Sequence, residues 1–214
     1  MGASEDVRAN GVQPVLERPG RVLPILVVLG VYIGLPVLIL LDIIPFSLKF
    51  AVLAIGALAV YAIARVSGAS NAELGIKKDQ SLKSLFDIAP LTLILLVAGI
   101  VVWIGGWGRI DQNEVWQFYV FYVFVSCPAQ ELLYRGALTV FLERISVNRW
   151  FVLIGSSALF AFVHVIYRDT LTVVLMFGIG LIWYLYYRRT RNLLGVIVSH
   201  ATLGAVTIIA GVVN

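Results

Sequence analysis

Seven long apolar runs, separated by short polar breaks, pattern this chain: about 23–44, 50–66, 90–108, 115–141, 150–166, 171–187 and 193–213. About 20 mostly apolar residues are needed to cross the hydrocarbon of a bilayer as a helix, so each run is a candidate span, several of them short or long by that measure. The pattern predicts an all-α, polytopic membrane helix bundle of about seven transmembrane helices, or eight if a run is split or a re-entrant piece is present. Residues 1–20 are polar, carry both signs of charge and contain Pro14 and Pro19, which reads as a tail outside the bundle. Residues 21–214 then form a single transmembrane domain. In the longest break, 67–89, Leu82, Leu85, Phe86 and Ile88 interleave with Lys83 and Asp87, the pattern of a short amphipathic helix on the membrane surface.

Composition agrees with a lipid environment. The chain is 60% hydrophobic and 13% charged, with a mean hydropathy of +0.96. Its net charge of +4 does not argue for nucleic acid, because the basic residues are scattered singly or in pairs through short breaks. Twelve of the 16 Lys and Arg fall in alternate breaks and only Lys49, Arg109 and Arg168 in the others. By the positive-inside rule this asymmetry puts the N-terminus in the cytoplasm and the C-terminus outside. Cys127 is the single cysteine, so no intrachain disulfide staples the fold. Trp103, Trp107, Trp116, Trp150 and Trp183 lie mostly near run ends and read as interfacial anchors. Gly155, Ser156, Ser157, Gly178, Gly180 and Gly204 are small enough to let helices approach closely.

The chemistry concentrates around residues 127–135, Cys-Pro-Ala-Gln-Glu-Leu-Leu-Tyr-Arg, inside the fourth run. A charged side chain at a membrane-helix centre costs roughly 2.5–3.5 kcal/mol on insertion scales, so such groups are normally paired and turned inward. Glu131 and Arg135 stand four residues apart, one above the other on a helix face. Pro128 lacks an N–H and frees the carbonyl of Phe124, which predicts a kink opening toward Gln130. The chain's two histidines, His164 and His200, also fall in apolar runs. The expectation is that Glu131, Arg135 and both histidines meet in one buried polar site.

Gln-Glu-Leu-Leu-Tyr-Arg-Gly at 130–136, Phe-Ala-Phe-Val-His at 160–164, Phe-Gly-Ile-Gly at 177–180 and His200 in the last run carry a specific resemblance. In order and interval they resemble the CAAX-protease and bacteriocin-processing family of intramembrane proteases, also called Abi or type II CAAX prenyl endopeptidase-like. That family is marked by Glu-Glu-x-x-x-Arg, Phe-x-x-x-His and His-x-x-x-Asn or Asp. The motif-bearing core spans about 115–212, and Glu-Leu-Gly-Ile at 73–76 also resembles the family. Two positions depart from the pattern: Gln130 stands where the family has its first glutamate, and Gly204 where it has Asn or Asp.

The resemblance implies an intramembrane endopeptidase acting on a membrane-associated peptide or protein. It implies Gln130 at the place of the general base, Glu131 paired with Arg135 to orient the site, His164 holding the attacking water and His200 stabilising the oxyanion. An amide cannot accept that proton, so three readings stay open: a glutamate replaced by glutamine, Glu131 serving as base, or a member without catalysis. No cofactor is expected. If there is a metal, it is zinc, and the set it would use is Glu131, His164 and His200. A thiol nucleophile at Cys127 paired with His164 is a minor alternative. The rival function is a non-catalytic membrane scaffold or immunity-type protein. An ion or proton transporter is disfavoured because no paired inverted repeat is visible. The expected setting is a multi-pass protein of a prokaryotic plasma membrane. The bilayer is its medium, and the residues do not fix its oligomeric state.

Overall fold

The computed structural model describes residues 26–111 and 114–213, so the tail read at 1–20 lies outside the described residues. Among the described residues the regular structure is all helical. Helix α1 is Leu29–Leu40, α2 Phe46–Val66, α3 Ser81–Ile104, α5 Arg149–Tyr167, α6 Thr170–Thr190 and α7 Leu194–Ile209. Between α3 and α5 runs α4, residues 116–144, helical without a break. Four of these helices, α2, α3, α5 and α6, are long and apolar enough to cross a membrane by length and composition, and α1 and α7 are shorter apolar helices. Large apolar side chains crowd the outer surface: Leu58 on α2 is 70% exposed and Phe124 on α4 74%. An apolar exterior of that kind suits lipid and not water. The protein is a multi-pass membrane protein.

The third helix begins well before the run at 90–108 that pointed to it. Leu82, Leu85, Phe86 and Ile88, expected in a separate surface helix, are the first two turns of α3, and Pro90 lies inside that helix. Two features make this early start stable. Lys83 Nζ pairs with Asp87 at 2.8 Å, one turn apart, which softens the burden of charge near the membrane. Asn192, in the turn between α6 and α7, donates from Nδ2 to the carbonyls of Lys77 and Asp79, both at 2.8 Å, and pins the approach to α3.

Pro128 is accommodated by a change of helical register. A π-helical stretch, Tyr122–Ser126, runs directly into an α-helical stretch, Cys127–Glu131, with Pro128 in its first turn. There Cys127 N–H bonds to the carbonyl of Tyr122, so the missing proline N–H falls where the ladder shifts. A second π stretch, Leu132–Ala137, follows. Both bulges flank the chemically loaded segment.

Close packing assembles the bundle as α3 against α7 and α5 against α6, with α4 touching α2, α5 and α7. Glycine bears on two of these contacts. A Cβ on Gly195 would lie 2.1 Å from the carbonyl oxygen of Ser84, so α7 and α3 can approach only with glycine there. The demand at Gly180 is milder: across the α5–α6 contact a Cβ there would lie 3.2 Å from Phe160 Cδ1 and 3.4 Å from Ser157. Gly155 and Gly178, expected in the same role, face open space, and Gly204 serves a different purpose described below.

Candidate functional site

Glu131, Arg135, His164 and His200 are all buried, on α4, α5 and α7. Arg135 and Glu131 are fully enclosed and joined by a hydrogen-bonded ion pair of 3.3 Å, one turn apart on α4 as the sequence spacing predicted. Glu131 Oε1 also meets His200 Nδ1 at 2.7 Å, so one carboxylate oxygen holds both the guanidinium and the imidazole. An ionised carboxylate only accepts, which puts the hydrogen on His200 Nδ1. Arg135 makes a long 3.4 Å bond to the carbonyl of Gly180 and lies over the ring of Phe160, 4.1 Å from its centroid.

Phe160 is the hinge of the site. Its carbonyl accepts from His164 Nδ1 at 2.8 Å, the i to i−4 bond that the spacing Phe-x-x-x-His allows on a helix. Its ring meets those of His164 and His200 edge to face, with centroids 5.1 and 5.6 Å away. His164 itself sits where α5 tightens into a 3₁₀ stretch, Val163–Tyr167. Both imidazoles therefore have Nδ1 occupied and flank one phenyl ring.

Trp183 completes the arrangement. It was read with the other tryptophans as an interfacial anchor, but whereas Trp103, Trp107, Trp116 and Trp150 are exposed, Trp183 is 2% exposed and stacks on His200 at 4.5 Å between centroids. Its indole N–H donates to Ser199 Oγ at 3.0 Å, and Thr92 Oγ1 on α3 donates to the same Ser199 oxygen at 2.8 Å. The only warning in the sequence is position: Trp183 falls well inside α6, away from its ends. Tyr122, Ser199 and Thr92 carried no such signal.

A cavity of about 490 Å³ opens onto this cluster. Gln130, His164 and His200 line it, together with Tyr122, Ser126 and Gly204. Glu131 and Arg135 do not; they stand behind His200. Gln130 donates from Nε2 to Ser126 Oγ at 2.9 Å, and its Oε1 has no hydrogen-bond partner among the described residues. Most of the remaining lining is aliphatic or aromatic, Lys49 being its one Lys or Arg among the described residues. Cys127 is buried on α4 and is not part of the lining.

Glu131, His164 and His200 are the set that the sequence offered for zinc. Among the described residues no three His, Cys, Asp or Glu side chains are grouped to hold a metal ion. Glu131 shares its Oε1 between Arg135 and His200.

An all-helical bundle with an apolar exterior and an internal acid, guanidinium and two imidazoles defines a class: membrane proteins with a polar site inside the bundle. Comparison narrows the class. Residues 112–206, which include every one of the site residues Gln130, Glu131, Arg135, His164 and His200, match the model of the Rce1-like family, described as type II CAAX prenyl endopeptidase Rce1-like. That family is one of proteases, and it is the family that the motifs resembled. No curated protein matched the chain, and no solved structure did.

Proposed function

We propose that the protein is an intramembrane endopeptidase that hydrolyses a peptide bond in a membrane-associated peptide or protein, within the cavity lined by Gln130, His164 and His200. The observation that carries this reading is the pair of imidazoles on the cavity wall, each anchored through Nδ1. His164 gives its Nδ1 hydrogen to Phe160, so the neutral ring keeps a lone pair on Nε2 that can take a proton from water. His200, backed by the Glu131 carboxylate, can carry a proton on Nε2 as well and offer it to a carbonyl oxygen. Gln130 lines the same wall, and as an amide it takes no proton.

In this mechanism the water oxygen adds to the carbonyl carbon as its proton passes to His164 Nε2. The carbonyl oxygen takes the negative charge against His200 Nε2–H. The C–N bond then breaks as the proton moves from His164 to the leaving nitrogen, giving an amine and a carboxylic acid, which ionises by losing its own proton to solvent. The aliphatic and aromatic lining favours an apolar stretch of substrate. In the same reading all seven helices cross a prokaryotic plasma membrane, with the N-terminus in the cytoplasm, on the strength of the Lys and Arg distribution. No cofactor is proposed.

The test is cleavage of internally quenched apolar peptides by the detergent-purified protein in ¹⁸O-labelled water, read by fluorescence and mass spectrometry. His164→Ala should abolish turnover, and Gln130→Glu should raise it by about 10²-fold, the lower end of what a positioned base contributes. Unchanged turnover in His164→Ala defeats the mechanism. The amide at Gln130 favours one second reading, a member that binds a peptide in this cavity without cutting it. Binding of the peptide without cleavage by either the chain as it stands or Gln130→Glu is the result that selects it.

A further inference from the structure

Gly204 is glycine because of a residue on another helix. A Cβ built at 204 would lie 1.8 Å from the hydroxyl oxygen of Tyr122 and 2.7 and 2.9 Å from two of its ring carbons. The phenol and any side chain at 204 are alternative occupants of one space. That space belongs to the cavity: Tyr122, Gly204 and His200 all line it, and Gly204 follows His200 by one turn of α7. Tyr122 opens the π stretch of α4 and stands at four-residue intervals from Ser126 and Gln130, which line the same cavity. Its ring is held by stacking on Phe118 at 5.9 Å and by an edge contact with His200 at 6.0 Å.

We propose that Tyr122 is a catalytic residue, whose hydroxyl donates a hydrogen bond, beside His200, to the oxygen of the carbonyl under attack. The proposal rests on the hydrolytic reading above. A phenol is neutral at working pH and can donate its O–H. Tyrosine hydroxyls are among the groups that stabilise a developing oxyanion, because a fixed dipole needs no reorganisation as charge appears. A polar side chain at 204 would reach the carbonyl from α7; here α4 supplies the polar group and glycine makes room for it. The phenol keeps its proton throughout, so the transfers among water, His164 and the leaving nitrogen are unchanged.

The experiment compares variants in whichever parent turns over the quenched apolar peptide, the chain as it stands or Gln130→Glu. Tyr122→Phe keeps the ring and its stacking; kcat should fall about 10²- to 10³-fold, the usual effect of losing one such donor, with KM within about twofold and the melting temperature unchanged. Tyr122→Leu empties the shared space, and adding Gly204→Asn to it should recover at least tenfold of the lost rate. Gly204→Asn alone, with the phenol in place, should lose both activity and stability. A kcat within about twofold of the parent in Tyr122→Phe, or no gain from the second substitution, overturns the role of Tyr122 while leaving the protease reading intact. No turnover in either parent overturns both.

Discussion

Removing both members of the Glu131–Arg135 pair should cost this protein less than the two single losses added together. The two side chains are fully enclosed, so neither charge can fall back on solvent when its partner is lost. Arg135→Met keeps the length of the side chain and deletes the charge. Glu131 is then left with the 2.7 Å contact to His200 through Oε1, and an Oε2 that has no partner among the described residues. Glu131→Ala instead leaves a guanidinium held by the rings of Phe160 and Trp183 and the long bond to Gly180. Breaking a buried pair from one side typically costs about 3–5 kcal/mol, because an uncompensated charge stays inside.

At about 2–4 °C per kcal/mol for a chain of this size, that is a fall of roughly 6–20 °C in melting temperature for each single variant. The double variant carries no stranded charge, so its loss should fall short of the sum of the singles by about 2 kcal/mol or more, within the range of direct couplings. Reversible denaturant unfolding in detergent, followed by tryptophan fluorescence, gives all four corners of the cycle. Additive losses, with coupling under about 0.5 kcal/mol, would refute the claim that these two residues neutralise each other.

Further outcomes follow from local geometry. Gly195→Ala should cost about 1–3 kcal/mol or more through overpacking against Ser84, whereas Gly155→Ala, which meets nothing within 4 Å, should be neutral or stabilise by up to about 1 kcal/mol; thermal melts of the two side by side decide it. Asp169, at the start of α6, accepts from the Arg109 guanidinium and the Thr172 hydroxyl, which hold its carboxyl well below the usual carboxylate range. It also caps α6 by accepting from the backbone N–H of Leu171 and Thr172, so Asp169→Ala should lose about 1–2 kcal/mol at pH 7. A depressed folded-state pKa means that this stabilisation is complete above the ordinary carboxylate value of about 4 and disappears only as pH falls through the lower folded-state value. The parent and Asp169→Ala should therefore stay apart in melting temperature at pH 5 and converge only in strong acid; convergence already at pH 5 would contradict the assignment.

Hydropathy alone made the fold class legible, because a lipid-exposed helix must be apolar along a length that the bilayer sets. It also placed the acid and the guanidinium on one face, since the spacing of 131 and 135 is a property of any helix. The start of α3 was not legible: Lys83, Asp87 and Pro90 made its first turns look like a surface segment, and only the ion pair and the Asn192 staple show why they join the helix.

The five candidate residues were singled out from motif spacing, but where each stands relative to the cavity was not legible. Gln130, His164 and His200 line the cavity while Glu131 and Arg135 do not, and that partition depends on how α4, α5 and α7 are turned toward one another. Trp183 and Tyr122 are ordinary aromatic positions in the sequence; what makes them part of the site is contact with His200 from two other helices. One helix fixes spacing along itself. Which side chains from different helices share a space is decided only when close packing, at glycines such as Gly195 and Gly204, sets how near the helices come.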